Sequence, residues 1–158
     1  MPVLKSAACL AMCLLLLLLC ACASDGDGDA APSTLYDRLG GGEAIELVVD
    51  DFLERALANE DVNFTRQGTP AQWEATPANL ARVKKHLVAF ISEVTDGPVK
   101  YAGKDMKSAH AGMKITDKEF YTAAAELEAS LIKYEVKQVD RAELMQRVAA
   151  TRSEIVGK

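Results

Sequence analysis

The sequence predicts an all-α domain behind an apolar leader, and three observations predict it. Every periodic stretch after residue 33 repeats its apolar residues at helical spacing. No alternating run is long enough for a strand, and no hairpin signal separates two such runs. Caps, prolines and glycines stand where helices need to start and stop.

The first residues stand apart from the domain. A single lysine, Lys5, precedes the apolar run AACLAMCLLLLLLCACA. A run of this length is long enough to span a bilayer. At an N-terminus, between a basic residue and small residues, it reads instead as a secretory signal. Leu19-Cys20-Ala21-Cys22 resembles a bacterial lipobox, with Leu at minus three, a small Ala at minus one and then the cysteine that takes the lipid. The expectation is a lipoprotein-type signal peptide over residues 1–21, lipidated Cys22 and a flexible tether over residues 22–33. Cys20 is the poorer candidate because bulky Leu19 precedes it. The protein is then exported and anchored to a membrane, on its periplasmic or cell-surface face. Ala23 after the cysteine points to the outer membrane where the organism has one.

All four cysteines, Cys9, Cys13, Cys20 and Cys22, lie in this leader. The domain therefore has no disulfide, iron–sulfur cluster or thiolate-bound metal. DGDGD in the tether lacks the twelve-residue ligand pattern and closing Glu of a calcium loop. Residues 33–158 carry 20 acids and 17 bases, a balance that argues against nucleic acid as a partner.

Ser33 or Thr34 caps a short helix over LYDRLG, and Gly40, Gly41 and Gly42 turn the chain. The second helix runs from about Glu43 to Ala58, with Ile45, Val48, Val49, Phe52, Leu53, Ala56 and Leu57 as one buried stripe. Residues 59–76 have no period and contain Gly68 and Pro70, so they form a long loop. Thr76 and Pro77 open the third helix as N-cap and first residue, and Asp96-Gly97-Pro98 stops it. Its stripe is Leu80, Val83, Leu87, Phe90, Ile91 and Val94. A short segment ends at His110. Thr116-Asp117-Lys118-Glu119 is a capping box that starts a helix to about Tyr134. A last helix spans about Lys137 to Val156. Four substantial helices and two short ones result.

Only two histidines are present, His86 and His110. His86 sits at the edge of the third helix's stripe, where it faces solvent or whatever the stripe packs against. His110 follows Met106 and precedes Met113. It belongs to no HExxH or Cys/His zinc pattern. One imidazole on a short segment, facing an apolar helix with a second imidazole at its margin, suits a planar macrocycle; a packed core histidine is the other reading. No CxxCH motif supports covalent attachment of the c type.

The segments TLYDRLGGGEAIELVVDDFLERALANEDVN and ANLARVKKHLVAFISEVTDGPVKYAGKDMKSAHAGMKIT resemble the group 1 truncated haemoglobins, and the likeness runs over residues 34–156. It implies a two-over-two helical sandwich around non-covalent haem b. It implies His110 as the proximal iron ligand, with Met106 and Met113 along the haem face or edge. The distal side departs from the family. Leu53 stands where the family has a tyrosine, Leu87 where it has a glutamine, and Val83 is nearest the bound ligand. A donor to the ligand is worth about 1–3 kcal/mol, or roughly 5- to 150-fold in retention. Some cyanobacterial members place a distal iron ligand where this chain has His86, 24 residues before His110. The other reading puts His86 at the haem edge. Arg82 matches a position that reaches a haem propionate. Phe52, Phe64, Phe90, Ile91 and Phe120 belong to the pocket or the core. The loop at 59–76 is longer than the family's, and Trp73 either covers the haem edge or pins the loop.

The implied function is reversible binding of diatomic gases, O2, NO or CO, in the oxygen-binding and transport class. The competing readings are a redox enzyme on the same haem, a nitric oxide dioxygenase or an electron carrier with a reductase partner, and a haem-free helical adaptor on a lipid anchor.

Overall fold

The computed structural model describes residues 33–158. The expected signal peptide, Cys22 and all of the tether but Ser33 lie outside the described residues. Among the described residues seven helices follow in order: α1 Leu35–Arg38, α2 Gly41–Ala58, α3 Pro77–Val94, α4 Met106–Ala109, α5 Asp117–Lys133, α6 Gln138–Ala150 and α7 Arg152–Ile155. Among the described residues there is no strand, only one parallel bridge between Ile115 and Val156.

Local chemistry explains the starts. Thr34 and Asp37 form a reciprocal capping box on α1, and Thr116 and Glu119 form the same box on α5. Thr76 accepts from the Asn79 N–H, and Pro77 supplies the first residue of α3. Between α1 and α2 the chain turns through Gly40 at φ 91°, where a Cβ would come within 2.8 Å of the Ala44 Cβ. The glycines that read as a turn also form the first turn of α2, which starts at Gly41 rather than Glu43.

Two helix pairs, α2 with α3 and α5 with α6, make the two layers, and α2 also packs on α5. The α2 stripe is buried at Ile45, Val48, Val49, Phe52, Leu53 and Ala56. Leu57 departs from expectation: it is 37 % exposed, one residue from the end of the helix. The α3 stripe behaves differently. Only Ile91 and Ser92 are buried on α3, and Leu80, Val83, Leu87 and Phe90 are half-buried. That face looks onto a cavity rather than a close-packed neighbour.

The last expected helix is two helices. The Thr151 hydroxyl and N–H both donate to the Val148 carbonyl, at 2.7 and 3.0 Å, which tightens the turn and ends α6. After α7 the backbone pairs with the segment beyond His110. Gly157 N–H donates to Ile115 O at 2.9 Å, and Lys114 N–H to Lys158 O at 2.6 Å. Arg152 pairs with Asp117. These tertiary bonds bend the chain where helical periodicity alone would run on.

The loop at 59–76 is held by its own bonds. Trp73 donates its N–H to Thr65 O and its indole N–H to Phe64 O, each at 3.0 Å. The Arg66 guanidinium reaches Glu119 on α5 at 2.7 Å.

The α2–α5 contact contains a buried acid. Asp51 is 6 % exposed and accepts from Arg55 at 2.6 Å, from the Ser130 hydroxyl at 2.8 Å and from Lys133. Lys133 first, then Arg55, hold its carboxyl far below the usual range. A depressed carboxyl contributes stability that is present above its unfolded pKa and is lost as pH falls toward its folded one. Asp51→Asn is expected to cost about 1–3 kcal/mol at neutral pH. It is also expected to flatten the loss of stability below about pH 4. Urea unfolding at neutral and acid pH reads both, and equal midpoints for variant and wild type at neutral pH would remove this role from Asp51.

Candidate functional site

α2 packs on both α3 and α5, but α3 is not closely packed on α4 or α5. The space this leaves is a cavity of about 400 Å³, within the size range of ligand and cofactor sites. Of the residues expected at a site, Phe52, Phe64, Val83, His86, Leu87, Phe90, Met106, His110, Met113 and Phe120 all line it. Two expected residues do not. Leu53 is buried in the hydrophobic core of α2. Arg82 is exposed on α3, outside the lining.

His110 is placed by a single helical turn. Asp105 caps α4 by accepting from the Ser108 N–H at 2.9 Å, and that bond is the first cause holding its carboxyl below the usual range. His110 is the C-cap residue of α4. Its Nδ1 lies 2.8 Å from the carbonyl oxygen of Met106. A carbonyl only accepts, so Nδ1 carries the proton and Nε2 keeps its lone pair. A ring nitrogen tied to backbone in this way fixes the tautomer and orientation of a metal-binding imidazole.

The polar lining groups are mostly committed elsewhere. Trp73 donates to Phe64 O, Thr151 to Val148 O and Arg66 to Glu119. Asn63 bonds the Gln67 backbone. Burial would push the Glu119 carboxyl up, but the Thr116 N–H and Arg66 outweigh it and hold it low. The lining groups without a hydrogen-bond partner among the described residues are the His86 ring, the Tyr101 hydroxyl, Nε2 of His110 and Nε of Arg66, the last of which is buried. Burial first, then the Asp105 carboxylate, push the Tyr101 phenol up.

Several lining residues were not singled out from sequence. Tyr101 sits in the α3–α4 loop, where an aromatic among Gly, Lys and Asp was the only available signal. Arg66 adopts φ 55°, and no local pattern announces that a loop arginine will turn inward. Thr151 and Ile155 reach the cavity because the chain bends at the end of α6. The aromatic wall is a chain of edge-on contacts. Phe52 meets Phe64 at 6.1 Å, and Phe64 meets Trp73 at 5.8 Å. Trp73 thus both pins the loop and lines the cavity.

Among the described residues no group of three or more His, Cys, Asp or Glu converges on a bare metal ion. The donor set fits a metal that brings most of its own ligands. An imidazole with a free Nε2, set in an apolar slot, suits an iron porphyrin. Among the described residues no helix is long and apolar enough to cross a membrane.

The bacterial-like globin family matches residues 34–156. A group 1 truncated haemoglobin of Mycolicibacterium paratuberculosis is 34 % identical over 126 residues, covering 80 % of this chain and 86 % of that protein. One from a Nostoc species is 31 % identical over 126 residues, covering 80 % and 99 %. The crystal structure of the Tetrahymena pyriformis truncated haemoglobin in its Fe(III) form superimposes with a TM-score of 0.69 at 28 % identity, over 80 % of this chain and all of that one. A Synechococcus 2/2 haemoglobin, solved in the cyanomet state with covalently attached haem, gives 0.67 at 27 % identity, over 78 % and 98 %. The chain therefore belongs to the bacterial-like globins, as a haem-binding protein of the truncated haemoglobin type.

Proposed function

We propose that the protein binds diatomic gases, O2, NO or CO, at a non-covalent haem b whose iron takes His110 on one side and, reversibly, His86 on the other. The observation that carries this reading is the Nδ1 bond of His110 to Met106, which leaves Nε2 as a donor in the cavity wall. When bound, an iron porphyrin supplies the open coordination position at which such a gas binds. The chain's own residues set what that position experiences. Met106, Met113, Phe90 and Phe120 give it an apolar surround.

Val83 and Leu87 line the cavity and donate no hydrogen bond, and Leu53 lies in the core. A gas held here gains no donor from these three positions, and a donor is worth about 1–3 kcal/mol, so it escapes more readily than from a pocket that is polar there. His86 is the one imidazole on α3, and it shares the cavity with His110. Arg82 precedes it by one helical turn, exposed and outside the cavity lining, where its guanidinium would be free to pair with a propionate. The absence of cysteine from residues 33–158 supports non-covalent retention by leaving no thiol for haem attachment. The lipobox-like Leu19-Cys20-Ala21-Cys22 supports a membrane-anchored protein outside the cytoplasm.

Absorption spectra in both oxidation states test the ligands. Wild type is expected to be low-spin and six-coordinate, and His86→Ala high-spin with haem retained. His110→Ala is expected to lose more than about 100-fold in haem affinity, since even the outer partners of metal ligands are worth about 10- to 100-fold. Full haem uptake with an unaltered spectrum in His110→Ala would falsify the proximal assignment.

Mass spectrometry of the purified protein reads both attachments. An acylated N-terminal Cys22, and no haem mass on the denatured chain, are expected. An intact leader or a retained haem adduct defeats the corresponding part.

Trp73 is the sole tryptophan and lines the cavity. Titrating haem into the haem-free protein is expected to quench its emission. Emission that stays constant through saturation would place the porphyrin elsewhere.

A further inference from the structure

We propose that Tyr101 is a positioning residue for His86: its ring holds the imidazole at the cavity wall, ready to take the sixth position on the iron. The inference rests on the reading of His86 as the distal ligand.

The loop between α3 and α4 doubles back along α3. The Tyr101 N–H donates to Glu93 Oε2 at 3.1 Å and fixes the backbone there. Gly103 then passes close over the ring, and a Cβ at that position would lie 2.3 Å from Tyr101 ring atoms. A larger residue there would displace the tyrosine ring from this position. The ring is turned onto two α3 residues one helical turn apart. It meets Phe90 edge-on at 6.2 Å and 84°, and the His86 imidazole at 5.7 Å and 67°. All three rings line the same cavity.

His86 is otherwise free to turn. It is exposed, and among the described residues its ring makes no hydrogen bond. An exposed side chain of this kind moves among staggered rotamers unless packing selects one. The Tyr101 edge is its one aromatic contact among the described residues, and it holds the imidazole beside the cavity. The tyrosine thereby reduces the freedom His86 must lose on binding iron, the usual benefit of pre-organisation.

A double-mutant cycle on the haem protein, with the haem-free chain as a second readout, tests this. Tyr101→Ala is expected to lower the low-spin, six-coordinate fraction and to speed carbon monoxide binding by about two- to tenfold, the worth of one aromatic edge contact. Tyr101→Phe keeps the ring and is expected to match wild type. In the His86→Ala background, Tyr101→Ala is expected to change carbon monoxide binding by less than about twofold, because the coupling partner is gone. In the haem-free chain, Tyr101→Ala is expected to remove the ring-current shift of the His86 imidazole protons, and Tyr101→Phe to retain it.

An unchanged or increased low-spin fraction in Tyr101→Ala, with His86→Ala still high-spin, overturns this inference and leaves distal ligation intact. An equal effect of Tyr101→Ala with and without His86 also overturns it, by assigning the tyrosine to general cavity packing. A low-spin spectrum that survives His86→Ala overturns the distal reading and this inference with it.

Discussion

The hydrogen bond from Nδ1 of His110 to the Met106 carbonyl closes inside a single helical turn. It decides which imidazole nitrogen keeps a lone pair, and the chemistry of the cavity follows from that choice. The turn is short enough to need outside support on both sides. Asp105 caps its start, and the backbone beyond His110 is tied to the C-terminal segment at Lys114 and Ile115. A ligand on an unsupported turn would wander by more than a coordinate bond tolerates. Here covalent neighbours set the tautomer and tertiary bonds set the position.

The cavity exists because α2 holds two helices that do not hold each other. α2 packs on α3 through one part of its surface and on α5 through another. The buried Asp51, bridging Arg55, Ser130 and Lys133, ties the α5 side of that arrangement. On the far edge, Arg66 and Glu119 join the long loop to the start of α5, and Phe64 and Trp73 close the wall between them. A buried pair of this kind adds little net stability against an apolar replacement, but it is costly to break, so it specifies where the loop sits.

Much of the domain was legible in the chain. Thr76 and Thr116 each cap the helix they are expected to cap, and of Ser33 and Thr34 it is Thr34 that caps α1, because capping is a bond between residues three apart. The α2 stripe is buried as its periodicity predicts, except at Leu57. Of the candidate pocket residues on helical stripes, all but Leu53 reach the cavity, since periodicity reports which face a side chain occupies. Leu53 and Arg82 did not line it. Periodicity says which face is apolar, but whether that face meets a core or a cavity depends on the neighbouring helix.

The sequence by itself determined the helices and, apart from the break at Thr151, their boundaries within a residue or two, the resemblance to a globin and the two imidazoles available to a metal. These rest on interactions a few residues apart or on which side chains exist at all. Tertiary structure alone decided that Tyr101 lies against His86, that Arg66 turns inward to Glu119, and that the chain breaks at Thr151 so that Ile155 reaches the cavity. Each of these joins residues on separate elements, or follows from packing between them. Their energies appear only once the intervening chain has folded, and no local pattern encodes them.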